Sequence, residues 1–261
     1  MGGALLRGWV AQGIGPLAVV EPAPRPELDD LARHHGIALF ERLDDTARLH
    51  VAACIVALKP QVLRAEAPRL APIARSGALM LSIAAGTGVA VLRKSWGAPA
   101  RIVRAMPNTP GAIGRGISAL YTPPRTSARD RRHAQLLLAG LGEVLWVDTE
   151  DQIDAVTAIS GSGPAYVFLL AESLARAGRA EGLAPAVASR LARATVSGAG
   201  AMLDADPREA EALRRDVMSP GGTTEAAIGV LTEGEALAKL MARAVGAARS
   251  RAAELRRQDR S

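Results

Sequence analysis

The chain has 261 residues, 49% of them hydrophobic and 22% charged, with a formal net charge of +6. That length holds one large domain or two ordinary ones with ample core, and aromatics at 3% leave the packing to Ala, Leu and Val. The positive charge is nearly all arginine, with lysine only at 59, 94 and 239, and it is scattered among acids (Arg176, Arg179, Glu181) without an aromatic-and-basic stripe, which argues against nucleic acid as a partner.

In chain order, Leu17–Val20 predicts a short strand and Glu27–His35 a helix. Val51–Leu58 is an apolar strand that contains Cys54, the sole cysteine. With no second cysteine to pair with, Cys54 fits a reducing compartment and reads as a small buried hydrophobe. Pro60 ends this strand, and Gln61–Ile73 reads as a helix. Leu79–Ile83, Arg101–Ala105, Ile117–Tyr121 and Val144–Val147 read as further strands, with a helix over Arg125–Leu138. Alternation of this kind predicts an α/β domain over residues 1–150, a mostly parallel sheet wrapped by helices.

From about residue 151 to 261 the sequence turns helical throughout. Gly163-Pro164 opens a helix with proline at its tolerated first position. Tyr166, Val167, Phe168, Leu169 and Leu170 give it no polar face, which predicts burial on all sides. Pro185 opens the next helix, where Ala194, Gly198 and Ala201 form a small-residue stripe. Leu237, Leu240, Met241, Ala244, Val245 and Ala248 recur at helical spacing near the end, with arginines opposite. An all-α domain with so much apolar surface predicts a dimerisation unit.

Histidines 34, 35, 50 and 133 show no ligand spacing, so no metal site is expected. No apolar stretch is read as approaching the roughly 18 residues of a membrane helix, and no signal-peptide pattern opens the chain. The expectation is a cytoplasmic protein with no membrane partner.

Ligands of parallel sheets bind at the carboxyl ends of the strands. There the sequence places Lys59-Pro60, the small residues Ala84-Ala85-Gly86, and Asn108 between two prolines. Each is ordinary turn chemistry alone; together at one sheet edge they favour a site. A second candidate lies at Ser219-Pro220-Gly221-Gly222-Thr223-Thr224, ahead of a predicted helix. Converging amides at a helix start suit a small carboxylate, though the same residues also read as a capped turn.

The motifs Ala57-Leu58-Lys59-Pro60, Met106-Pro107-Asn108-Thr109-Pro110, Ala158–Tyr166 (AISGSGPAY) and Ser219–Thr224 resemble, in order and spacing, those of the pyrroline-5-carboxylate reductase family. The resemblance implies a Rossmann-like sheet followed by helical domains that interleave between subunits, hence a homodimer or higher homo-oligomer. It departs at the front. Met1–Gly8 resembles the end of the family's GxGNM turn, with Gly2 at the third glycine, and the first strand and earlier glycines are absent from the sequence. One reading is a true start upstream; the other is a truncated homologue that binds cofactor poorly and acts as a helical dimer.

The resemblance further implies reduction of a cyclic imino acid, 1-pyrroline-5-carboxylate, to L-proline by hydride from NADPH, with NADH possible because Glu21 and Arg25 both follow the Leu17–Val20 strand. Cofactor contacts are then expected from Gly2, Ala57, Leu58, Lys59, Pro60, Ala84, Ala85, Gly86 and Asn108. Substrate contacts are expected from Ser219, Gly221, Gly222, Thr223 and Thr224. Thr224 is the catalytic candidate, hydrogen-bonding the ring nitrogen while water supplies the proton. Ser160–Gly163 is expected to cap the following helix. A β-hydroxyacid or other imine reductase would place a catalytic lysine on a helix of the second domain, where the sequence has only Lys239.

Overall fold

The computed structural model describes residues 1–124 and 126–258. It runs α1 (Gly2–Ala11), β1 (Ala18–Val20), α2 (Pro26–His35), β2 (Ala38–Phe40), β3 (Ala53–Val56), α3 (Pro60–Glu66), α4 (Ala71–Arg75), β4 (Leu79–Ser82), α5 (Val89–Trp96), β5 (Arg101–Met106), β6 (Gly116–Tyr121), α6 (Ala128–Ala139) and β7 (Gly142–Trp146). The helices α7 (Glu150–Val156), α8 (Gly163–Ala180), α9 (Pro185–Ala205), α10 (Ala210–Asp216), α11 (Thr223–Thr232) and α12 (Ala236–Gln258) follow. The chain divides into two compact units, one of Met1–Gly161 with the chain from Ala248 onward, the other of Ser162–Ala247.

In the first unit β3-β4-β5-β6-β7 form a five-stranded sheet, parallel except for the β5–β6 pair, and β1 and β2 form a separate parallel pair. The expected parallel character holds, but no strand joins the two sheets among the described residues. The two-residue strand period sorts the core onto both faces. Leu79, Leu81, Val103, Ala105 and Leu120 pack with Ala4, Leu5, Leu6 and Trp9 of α1 and Ala134 and Leu138 of α6. Val56, Met80 and Ile102 pack with Leu63, Leu70, Leu92 and Trp96 on the other face. Both buried indoles find carbonyls, Trp9 donating to Leu137 O at 2.7 Å and Trp96 to Ala67 O at 3.0 Å. Helices α1 and α6 approach closely at Gly8, where a Cβ would stand 3.0 Å from Gly140 O.

Several predicted elements change shape. The strand read over Val51–Leu58 pairs only at Ala53–Val56, because the chain leaves the sheet before Pro60, which opens α3. The helix read over Gln61–Ile73 is broken into α3, a 3-10 turn at Ala67–Leu70, and α4. Pro68 and Pro72 account for the breaks, since each removes a helix-interior amide and is tolerated at the start of a new segment. The helix read from Arg125 starts at Ala128, where Ser127 Oγ accepts the Asp130 amide at 3.0 Å; Arg125 lies outside the described residues. The strand β2 and helix α5 had no counterpart in the sequence reading.

In the second unit α8 and α9 pair, and Gly178 is where they touch: a Cβ there would meet Ala188 Cβ at 3.4 Å. The expectation that α8 is buried on all sides fails in the single chain. Phe168 is 68% exposed and Leu169 and Leu170 more than half, and no residue of α8 is buried. The expectation about membrane-length stretches is also corrected. Helix α7, a π turn at Thr157–Gly161 and α8 run on as one helix, Glu150–Ala180, long and apolar enough to cross a membrane by length and composition. Within this stretch α8 itself begins at Gly163 with Pro164 in its first turn, as the sequence predicts.

Candidate active site

The predicted residues fall in two groups, one in each compact unit. In the first, α1 begins beside the end of β3, and an added Cβ at Gly2 would stand 3.2 Å from Ala57 Cβ. The first turn of α1 thus meets the β3 exit because residue 2 has no side chain. The chain then turns at Leu58 and Lys59, with Lys59 capping α3 in extended conformation. Pro60 follows at the first helical position, where its missing amide costs nothing. Lys59 is exposed.

Beyond β4, Ala84 and Gly86 are buried and Ala85 is half-exposed. Gly86 has φ +78°, a conformation that favours glycine, and its missing Cβ makes room for the chain itself: a Cβ there would stand 3.2 Å from Leu255 Cβ of α12. The smallness of residue 86 therefore admits α12 on the side where its side chain would stand.

Beyond β5, Asn108 caps the 3-10 turn Thr109–Ile113. Its Oδ1 accepts the Ile117 amide at 3.0 Å, stapling the loop to β6. Gly116 lies directly beneath, where a Cβ would come within 2.6 Å of Gly111 N and 2.8 Å of Asn108 Oδ1. Met106 closes the loop's other side, its methyl 2.7 Å from where a Cβ of Gly161 would be.

In the second unit, Gly222 caps α11 and Gly221 has φ +72°. The Gly222 amide donates to Ser219 O at 2.9 Å, and a Cβ at Gly222 would collide with the Ser219 hydroxyl. The Gly221 amide donates to Glu225 Oε2 at 2.7 Å. The turn therefore already holds a carboxylate on one of its amides, that of its own helix. Glu225, three residues after the Gly222 N-cap, reaches back past it to the preceding amide, a contact that agrees with both readings of the turn, a helix cap and a carboxylate binder. Thr224 is half-exposed and Ser219, Gly221 and Thr223 are exposed. Ser160 Oγ donates to Val156 O at 3.1 Å, within the helix. Lys239 donates to Gly234 O at 2.9 Å from an exposed position on α12.

Two features near the predicted strand ends escaped the sequence reading. Arg104 is buried in β5 and pairs with Glu150 at 2.7 Å. Arg256 of α12 reaches Asp151 at 2.5 Å and Asp154 at 3.1 Å. Desolvation holds the Asp154 carboxyl above its ordinary pKa although the charges of Arg256 and Arg104 pull it down. The available signal was Arg104 itself, one charge inside the apolar run Ile102–Met106. The acids of α7 look like ordinary helix-start acids, so nothing local marks their partners. Burial pushes the Cys54 thiol up to about 11, keeping it protonated and non-nucleophilic at neutral pH.

The model of a family described as pyrroline-5-carboxylate reductase dimerisation matches residues 150–255. A pyrroline-5-carboxylate reductase of Pseudomonas aeruginosa is 41% identical over 99% of this chain and 94% of its own length. One from Arabidopsis thaliana is 35% identical over 98% of this chain and 92% of its own. Among solved structures, a pyrroline-5-carboxylate reductase of Coxiella burnetii superposes with a TM-score of 0.89 at 34% identity, covering 97% of this chain and 94% of that one. A Plasmodium falciparum pyrroline carboxylate reductase with NADP bound superposes with a TM-score of 0.81 at 26% identity, over 98% and 94% of the two chains. The chain belongs to the pyrroline-5-carboxylate reductase family.

Proposed function

We propose that this protein reduces 1-pyrroline-5-carboxylate to L-proline, with NADPH as the reductant. The observation that carries the reading is full-length similarity to reductases of that name, joined to strand-end loops built from the matching motifs. The missing side chain at Gly2 brings the start of α1 against the β3 exit, which sets helix-start amides without a side-chain cap where a dinucleotide's phosphates would bind, so the residues present fit the cofactor. Gly2, Ala57–Pro60, the Ala84–Gly86 backbone and Asn108 would hold it. When bound, NADPH supplies the hydride for the imine carbon.

The chain's own work is binding and orientation. Backbone amides of the Ser219–Thr224 turn and the Ser219 hydroxyl hold the substrate carboxylate at the positive end of α11. Thr224 Oγ1 hydrogen-bonds the ring nitrogen, which ends protonated with water as the proton source. A cyclic imine is readily protonated near neutral pH, so a strong protein acid is not required. Residues 1–150 serve the cofactor and residues 151–261 the substrate and assembly. The exposed apolar faces of α8 and α9 are covered by another copy of the chain, in a homodimer or a larger homo-oligomer, which also accounts for the apolar run of Glu150–Ala180 without a membrane. This assembly works in the cytoplasm and needs neither a metal nor nucleic acid.

The test is NADPH oxidation with 1-pyrroline-5-carboxylate, followed by Thr224→Ala. Turnover with a fall in kcat/KM of about tenfold or more for the variant is expected. Catalytic efficiency within about twofold of the parent removes Thr224 from the transition state, and absence of turnover by the folded oligomer refutes the reductase reading.

A further inference from the structure

A charge buried in a strand requires a partner. Arg104 is 2% exposed, and its Nη1 lies 2.7 Å from Oε1 of Glu150, the first residue of α7. That same oxygen accepts the Val89 amide at 2.6 Å. Val89 opens α5, so one of the amides that a helix start leaves without a backbone partner is taken up by a carboxylate of the chain. Gly88 lies against the carboxylate, where a Cβ would stand 3.4 Å from Glu150 Oε1 and 3.9 Å from Arg256 Cγ. Arg256 is anchored in turn by Asp151 and Asp154, and Leu255 seats on Gly86. The loop Ala84–Gly88 is thereby held along its length, and Ala85 is its half-exposed member.

A helix start after a parallel strand is a ready seat for phosphate. At α5 the seat is already filled by a carboxylate paired with Arg104, so the Val89 amide is not free for a phosphate, while an uncharged group can lie beside the loop. We propose that Glu150, held by Arg104, is a positioning residue for the cofactor: it closes the start of α5 to phosphate and fixes the Ala84–Gly88 backbone so that the uncharged nicotinamide and ribose end lies against Ala85. The proposal rests on the reading that this loop meets NADPH, and it assigns the pyrophosphate elsewhere, toward Gly2.

Three proteins test it: the parent, Glu150→Ala, and the double variant Arg104→Met/Glu150→Gln, which keeps an acceptor for Val89 without leaving a buried guanidinium unpaired. Amide hydrogen exchange is measured on the cofactor-free protein, NADPH binding by nicotinamide fluorescence, and KM for both substrates. Glu150→Ala is expected to speed exchange at Val89 and to weaken NADPH about tenfold, as loss of a charge-assisted hydrogen bond does. Its KM for 1-pyrroline-5-carboxylate stays within about twofold. The double variant returns exchange and NADPH affinity to within about threefold of the parent. Parent-like exchange and NADPH affinity in Glu150→Ala overturn the proposal, as does a rise of both KM values in step. A parent that binds no NADPH overturns the functional reading instead, and exchange at Val89 then decides by itself whether Glu150 fixes the loop.

Discussion

Asn108 separates a structural role from a cofactor role in one side chain. Its Oδ1 accepts the Ile117 amide across the turn between β5 and β6, and Ile117 is half-buried. Asn108→Ala removes the acceptor and leaves that amide with poor access to water, at a cost of about 1.5 kcal/mol. For a cooperative unit of this size that lowers Tm by about 3–6 °C. Asn108→Asp keeps an oxygen in place and is expected to unfold within about 0.5 kcal/mol of the parent. If the amide group also serves NADPH, Asn108→Asp still raises KM for NADPH, because it exchanges a donor for a negative charge. Urea unfolding and NADPH kinetics on the three proteins read out the two roles separately. A parent-like unfolding midpoint for Asn108→Ala, or equal destabilisation by both variants, refutes the staple.

Gly116→Ala is expected to cost about 1–3 kcal/mol in urea unfolding, since the new Cβ would stand 2.6 Å from Gly111 N and 2.7 Å from Gly111 Cα, backbone atoms that cannot swing aside. Glu225→Gln keeps an acceptor for the Gly221 amide but removes a negative charge from the proposed carboxylate seat. It should lower KM for 1-pyrroline-5-carboxylate by about two- to fivefold at low salt, fading as salt is added; an unchanged KM at low salt counts against that seat. Asp154 has its native pKa raised by desolvation, so the native state binds its proton more tightly than the unfolded chain. Its contribution is therefore full below about pH 4 and is lost as pH rises through the raised native value. Asp154→Asn cannot ionise, so its stability relative to the parent should improve across that rise. A stability difference that is flat with pH argues against the shift.

Residue order alone determined the strand–helix alternation, the helical second half and the turn before α11, because each follows from local period, proline placement and capping chemistry. The same order named Asn108, Gly86 and the Ser219–Thr224 turn as candidates, since glycine and flanking prolines mark constrained backbone wherever they stand. Tertiary structure decided what those residues face. Gly86 accommodates Leu255, Asn108 spends its oxygen on Ile117, and the Gly221 amide is held by Glu225. The partnership of Arg104 with Glu150 joins positions 46 residues apart, and that of Arg256 with Asp151 joins positions 105 apart. Exposure was likewise beyond local reading: an apolar helix such as α8 shows the same pattern whether its own chain or a second copy covers it. Local propensity acts within a few residues, whereas burial and charge pairing are settled only where distant segments meet.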